Sequence, residues 1–254
     1  AAIIYSSPNN PAWFNLTESE LQTIGELATK YDAIVIEDLA YMCMDFRKPL
    51  GKPFEAPFQP TIAKYTDNYI IMMSGSKMFS YAGQRIAIIA ISDALYHREY
   101  PLLPVWYKMS RLGDAFVFAV LYAVSSGATH SAQYALAEMF RAAADGELDF
   151  VTSAAEYARR AKISKKMFID NGFHIVYSMD GDEPVSDGFF YTVGYKGMSS
   201  GELMAEMIRY GMATIALSTT GSRQPGVRIC VSQLNRPEQF DMLEERLRLF
   251  ANDH

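Results

Sequence analysis

Apolar positions along the first ninety residues follow two rhythms. Ile3-Ile4-Tyr5 is a short β-branched run that stops at Ser6-Ser7-Pro8-Asn9-Asn10-Pro11, which predicts a strand followed by a loop. Thr17 with Glu20 three residues on forms a capping box, and Leu21, Ile24, Leu27 and Ala28 recur at helical spacing up to Lys30. That stretch reads as an amphipathic helix. Ala33 to Ile36, Tyr69 to Met73 and Ile86 to Ile91 are unbroken apolar runs of strand length. Such strands with helices between them predict a mostly parallel α/β sheet covered on both faces.

The pattern then changes. Residues 104 to 146 read as helical with a break at Ser125 to Thr129, and Ala154 to Asn171 continues as a basic amphipathic helix that Gly172 stops. Phe173 to Ser178, Phe189 to Val193, Met212 to Leu217 and Val227 to Val231 read as short strands. Between them lie the turn Asp180-Gly181-Asp182-Glu183-Pro184, a helix from about Ser200 to Tyr210 and a loop at Thr219 to Gly226, and a last helix runs from Pro237 to Phe250. The boundary falls near residue 148, giving a larger α/β domain over 1–148 and a smaller α+β domain over 149–254. No internal repeat or low-complexity segment interrupts either.

Composition removes several classes of function. With 50% hydrophobic and 20% charged residues, the chain is globular. Its formal charge of -6 and pI near 5.3 give no general attraction to nucleic acid or to an anionic membrane, which points to a small-molecule partner. The longest apolar run, Ala115 to Val124, is too short to span a bilayer and reads as a buried helix. Cys43 and Cys230 lack metal or disulfide spacing and read as reduced thiols of a cytoplasmic protein. A strand-like run at residue one, without a starting Met, reads as a chain cut from something longer.

In parallel sheets ligands gather beyond the carboxyl ends of the strands, here Pro8 to Pro11, Glu37 to Tyr41 and Ser74 to Lys77. Glu37-Asp38-Leu39-Ala40-Tyr41 offers a carboxylate and a phenol, and Ser74-Gly75-Ser76-Lys77 offers an amine among hydroxyls. Arg85 follows the lysine by eight positions, and Gly226-Val227-Arg228-Ile229 sets an arginine in a later strand. Singly these are ordinary: Asp38 a turn former, Lys77 a solvated lysine, Arg85 and Arg228 surface ion-pair partners. Their order at consecutive strand ends is what points to chemistry.

In that order and spacing, over most of its length, the chain resembles the aminotransferase class I and II family of fold-type I pyridoxal-phosphate (PLP) enzymes. The resemblance implies PLP as cofactor, with Lys77 as the Schiff-base lysine and proton shuttle. It implies Asp38 on the pyridine nitrogen, Asn10 and Tyr41 on the phenolic oxygen, and Ser74, Ser76 and Arg85 among the cofactor-binding residues, with Ser74 and Arg85 on the phosphate. Arg228 would grip the substrate α-carboxylate. Weaker echoes are Asp187-Gly188-Phe189-Phe190-Tyr191 and Gln133.

The implied fold is the C-terminal part of the PLP-transferase large domain plus a small α+β domain. The implied reaction is transfer of an amino group between an amino acid and a 2-oxo acid in a homodimer. A β-lyase or synthase of the same fold, or the sensing domain of a transcription regulator, stays open, as does substrate side-chain preference. Two positions depart from the family pattern: the Asn-Pro signature continues as Pro11-Ala12-Trp13 rather than Pro-Thr-Gly, and Ala87 stands where a glycine is common. The family's Gly/Ser-rich phosphate loop and the aromatic residue that stacks on the ring have no counterpart in residues 1–254. The resemblance therefore implies a truncated chain, and whether that chain is active alone stays open.

Overall fold

The computed structural model describes residues 1–186 and 188–254. It divides into two compact units: Ala1–Pro8, Leu16–Cys43 and Leu50–Val151 in the first, and Asn9–Asn15, Met44–Pro49 and Thr152–His254 in the second.

The first unit is built on four strands in the order β1 (Ala2–Ser6), β2 (Ile34–Leu39), β3 (Tyr69–Ser74) and β4 (Ala87–Ile91). β1, β2 and β3 are parallel and in sequence, whereas β4 returns antiparallel to β3 with Ser74 opposite Ala87. The expected mostly parallel sheet is present. It is not covered evenly on both faces, however: β2 alternates half-buried and buried positions, with Val35, Glu37 and Leu39 inward, and Ile4 on β1 is 69% exposed. Helix α1 (Glu18–Lys30) begins at Thr17 with both halves of the predicted capping box formed. Its Ala28 packs with Val35, Leu39, Ile62 and Ile71 into one core.

Beyond β3 comes the single-turn helix α2 (Gly75–Met78) and, beyond β4, the short helices α3 (Asp93–Tyr96), α4 (Leu103–Tyr107), α5 (Leu112–Ala115) and α6 (Tyr122–Ser125). A π-helical stretch, Phe116–Leu121, joins the last two. α7 (His130–Ala144) sets Ala132 and Leu136 against Ile86. The predicted break before it is present, and a second falls at Lys108, where a left-handed backbone ends α4. The segment carries a broad apolar exposure: Leu102, Val105, Trp106, Phe118, Tyr122, Val124 and Tyr134 are each more than 60% exposed.

Glu37 is the one acidic side chain on the buried face of β2, 1% exposed. Its carboxylate accepts from the Tyr5 hydroxyl at 3.1 Å and from the Ile62 backbone N–H at 3.0 Å, tying β1 and β2 to the 3-10 turn Ile62–Lys64. Burial holds its pKa above the ordinary carboxylate value and, with the Glu37 charge adding to it, pushes the Tyr5 phenol well above its usual range. Because the folded-state pKa of Glu37 is raised, its contribution to stability is complete below the ordinary carboxylate value and is lost as pH rises through the folded value. Glu37→Gln cannot ionise and should flatten that decline, as thermal unfolding between about pH 4 and about pH 8 would measure. Glu37→Ala leaves two partners unpaired and should cost about 2–4 kcal/mol throughout.

The second unit has a four-stranded sheet ordered β5 (His174–Ile175), β8 (Phe190–Gly194), β10 (Val227–Cys230) and β9 (Ile215–Ala216), all antiparallel. A separate hairpin pairs β6 (Met179–Asp180) with β7 (Glu183–Pro184). Strands predicted over six residues at Phe173 and Met212 pair over only two, because the chain leaves β5 for the hairpin and leaves β9 for a 3-10 turn, Leu217–Thr220. Every residue of β8 is buried. Helices α8 (Phe150–Asp170, starting in the first unit), α9 (Ser200–Arg209) and α10 (Pro237–Asp253) supply Phe168, Leu203, Met207, Leu247 and Phe250 to a core shared with Tyr191, Val193 and Ile229.

Two loops from the first half of the sequence complete this unit. Asn15 donates its backbone N–H to Asp180 at 3.0 Å, and Arg47 lies 3.5 Å from the same carboxylate. Among the described residues no helix is long and apolar enough to cross a membrane, and no cluster of three or more His, Cys, Asp or Glu is arranged to hold a metal.

Candidate active site

The parallel pairing of β1 to β3 puts Ser6 beside Asp38 and Leu39 beside Met73, so the carboxyl ends of the three strands share one edge of the sheet. Asp38 and Leu39 belong to β2 itself rather than to the loop after it. The Asp38 carboxylate accepts the Ala40 N–H at 2.9 Å, an Asx turn that bends the chain and buries Tyr41.

At the next strand end Ser74 caps α2: its hydroxyl oxygen accepts the Ser76 N–H at 3.1 Å and keeps its own O–H to donate. Lys77 is half-buried in that turn. The loop behind it is anchored by Phe79, whose ring meets Phe140 and Phe150 edge-on at 5.1 Å each, and it is closed by the Tyr81 N–H donating to the Gly75 carbonyl. Arg85 follows in a left-handed conformation, exposed, with its guanidinium donating to the Ala82 carbonyl at 2.8 Å.

In the second unit Arg228 projects from β10, its guanidinium 4.0 Å from the Phe190 ring centre and donating to Asn10 Oδ1 at 2.8 Å. Asn10 and Arg228 lie 218 positions apart in sequence. Arg228 Nε is buried without a hydrogen-bond partner among the described residues. Arg228 also borders a mainly apolar cavity of about 530 Å³ with Phe168, Met212, Ile229 and Leu243.

Of the weaker echoes, Asp187 lies outside the described residues. Phe190 lies under the Arg228 guanidinium, Gly188 lies against the Trp13 ring, and Gln133 is an exposed residue donating to the Ala128 carbonyl. Sequence reasoning passed over Glu37, whose signal was a charge inside an otherwise apolar strand. Phe190 was named only as part of a weak motif, and its place under the Arg228 guanidinium has no signal in the sequence.

The strand-end set in the first unit is one amine, one carboxylate, one phenol, two hydroxyls and one guanidinium. That chemistry fits an aldehyde-bearing pyridine phosphate: an amine for the carbonyl carbon, an acid for a ring nitrogen, and a donor each for phenolate and phosphate oxygens.

The fold is that of aminotransferases of known structure. An aromatic aminotransferase from Pyrococcus horikoshii OT3 superposes with a TM-score of 0.71 at 20% identity, covering 99% of this chain and 60% of its own. An aminotransferase from Mycobacterium tuberculosis gives 0.73 at 16%, covering 100% and 58%. The chain belongs to the aminotransferase class I and II family, whose sequence profile matches residues 1–247 and whose cofactor is PLP. A histidinol-phosphate aminotransferase from Chlorobaculum tepidum is 35% identical over 144 residues, 56% of this chain and 37% of that protein. The chain thus spans less than two thirds of the relatives it matches.

Proposed function

We propose that the protein carrying this chain is a PLP-dependent aminotransferase, moving an amino group between an amino acid and a 2-oxo acid. The observation that carries the reading is the placement of Asp38 and Ser74–Lys77 at the same end of the paired strands β2 and β3. When bound, PLP supplies a carbonyl carbon for an amine and a cationic ring that withdraws electrons from the substrate α-carbon.

Lys77 Nζ would be the amine that holds the cofactor and the base that moves the substrate α-proton. Asp38 keeps the ring nitrogen protonated. Tyr41 and Asn10 donate to the phenolic oxygen. The Ser74 hydroxyl and the Arg85 guanidinium hold phosphate, with Ser76 beside them. Arg228 takes the substrate α-carboxylate, for which a guanidinium offers paired donors.

The test is to add PLP, reduce with borohydride and map the labelled peptide, together with following nitrogen exchange between acids. The label is expected on Lys77. Release of ammonia and pyruvate from a cysteine conjugate without nitrogen exchange would replace the transferase reading with a lyase.

Two further readings accompany this one. A homodimer is supported by the exposed large apolar side chains of Leu102, Val105, Trp106, Phe118 and Tyr122, of the kind that protein–protein contacts cover. Sedimentation of the whole protein should give twice the subunit mass, and a monomer at micromolar concentration would refute it. A cytoplasmic location is supported by Cys43 and Cys230 both being free thiols.

A further inference from the structure

Residue 13 has a backbone φ of 67°, a conformation that suits glycine and is an outlier for a bulky side chain. It is nevertheless a tryptophan, and its indole is 1% exposed. The ring N–H donates to the Met44 carbonyl at 3.1 Å. Gly188 lies directly against the indole: a Cβ there would fall 1.9 Å from a ring carbon. One residue thus accepts an unfavourable backbone to bury its ring, and another lacks a side chain to make the room.

The slot leads to the Arg228 pair by two routes, both inside the second unit. Through the backbone, Trp13 closes the short loop that carries Asn10: the Trp13 N–H donates to the Asn9 carbonyl at 3.2 Å, and the Asn9 N–H donates to the Phe14 carbonyl at 3.0 Å. The Phe14 N–H then donates to Asn9 Oδ1 at 3.2 Å. Through the side chain, the indole meets Phe190 edge-on, centroids 6.1 Å apart, and the Arg228 guanidinium lies over the same Phe190 ring, 4.0 Å from its centre. Since Arg228 Nε has no hydrogen-bond partner among the described residues, the orientation of the guanidinium is set by the Phe190 ring and Asn10. Trp13 stands behind both.

We propose that Trp13, seated in the slot that Gly188 leaves, is a positioning residue that fixes the Asn10–Arg228 pair in the geometry that receives the substrate carboxylate. This rests on the reading of Arg228 as the carboxylate-binding residue. Trp13 itself does not touch substrate; it acts through Phe190 and the Asn10 loop.

The test is a double-mutant cycle in the whole protein, with KM and kcat read separately for an amino-acid donor. Trp13→Phe keeps an aromatic ring but loses the bond to Met44. It should raise KM by about 10-fold, with kcat within about 3-fold, as expected when a binding group is misplaced by a fraction of an ångström. Gly188→Ala, which pushes on the same ring, should do the same.

In an Arg228→Leu background the Trp13→Phe penalty should vanish, because the group being positioned is gone. Should Trp13→Phe fail to fold, Trp13→Gly relieves the backbone strain while emptying the slot, and it should show the same KM rise and the same loss of effect without Arg228. Penalties that multiply across the two sites, or a KM unchanged by both Trp13 variants, would overturn the positioning role. An Arg228→Leu protein with unchanged KM would instead overturn the carboxylate assignment beneath it.

Discussion

Replacing Lys77 with alanine should lower turnover of the whole protein by at least about 10⁴-fold, the upper end of what loss of a positioned acid–base group costs. The expectation is this large because one amine is asked to do two things, hold the cofactor and move the proton, so that no neighbour can stand in. The fold should survive: Lys77 sits half-buried in a single-turn helix whose start is fixed by Ser74 and whose far side is fixed by Phe79, and alanine is at least as good a helix former. The variant should therefore keep its circular dichroism spectrum while losing both the borohydride-dependent label and nitrogen exchange. Exchange persisting at one part in a hundred would rule out Lys77 as the essential amine.

The second large effect is expected at Arg228. Truncating one side of a desolvated charge pair costs about 2–5 kcal/mol, so Arg228→Leu should reduce kcat/KM for amino acids by roughly 30-fold to several thousand-fold. Leucine still packs on Phe190, which isolates the charge from the contact. Arg228→Lys keeps the charge but loses the guanidinium contact with the Phe190 ring and the forked donors, and it should fall between wild type and Leu. The discriminating measurement compares an amino acid with the corresponding amine that lacks the carboxylate. Wild type should favour the amino acid strongly, and Arg228→Leu should erase the preference. A preference that survives would place carboxylate recognition elsewhere.

How much of this was legible beforehand differs from element to element, for physical reasons. α1 could be read almost to the residue because its signals are local: Thr17 and Glu20 close a capping box on each other, and the apolar stripe needs no distant partner. β1, β2 and β3 were legible because each opens on a run of apolar, mostly β-branched residues of strand length, although β1 turned out largely uncovered. β4 was found as a strand, but its antiparallel direction was not, since direction depends on the path of the chain and not on composition. β5 and β9 came out shorter than their apolar runs because a strand extends only as far as its neighbour pairs with it.

The site divides in the same way. Asp38, Ser74 and Lys77 could be placed at strand ends from sequence because each lies within a few residues of its strand. The contact of Asn10 with Arg228 joins positions near opposite ends of the chain, and only the family likeness gave either of them a role. Glu37 looked like one more polar residue at a strand end until the pleat put it on the inner face. The loops 9–15 and 44–49 belong to the second unit, an exchange that no pattern of hydrophobicity records.

The two cysteines give the molecule its own gauge of opening. Cys230 is exposed, whereas Cys43 is buried among Met78, Ala143 and Phe150, and burial pushes its thiol pKa up to about 12. An alkylating reagent at neutral pH therefore modifies Cys230 directly, and it reaches Cys43 only in those moments when the first unit comes apart around it. The ratio of the two rates converts a chemical clock into a local unfolding equilibrium without any engineered probe. Because Met78 directly follows Lys77, the same clock times the loosening of the helical turn that presents the amine.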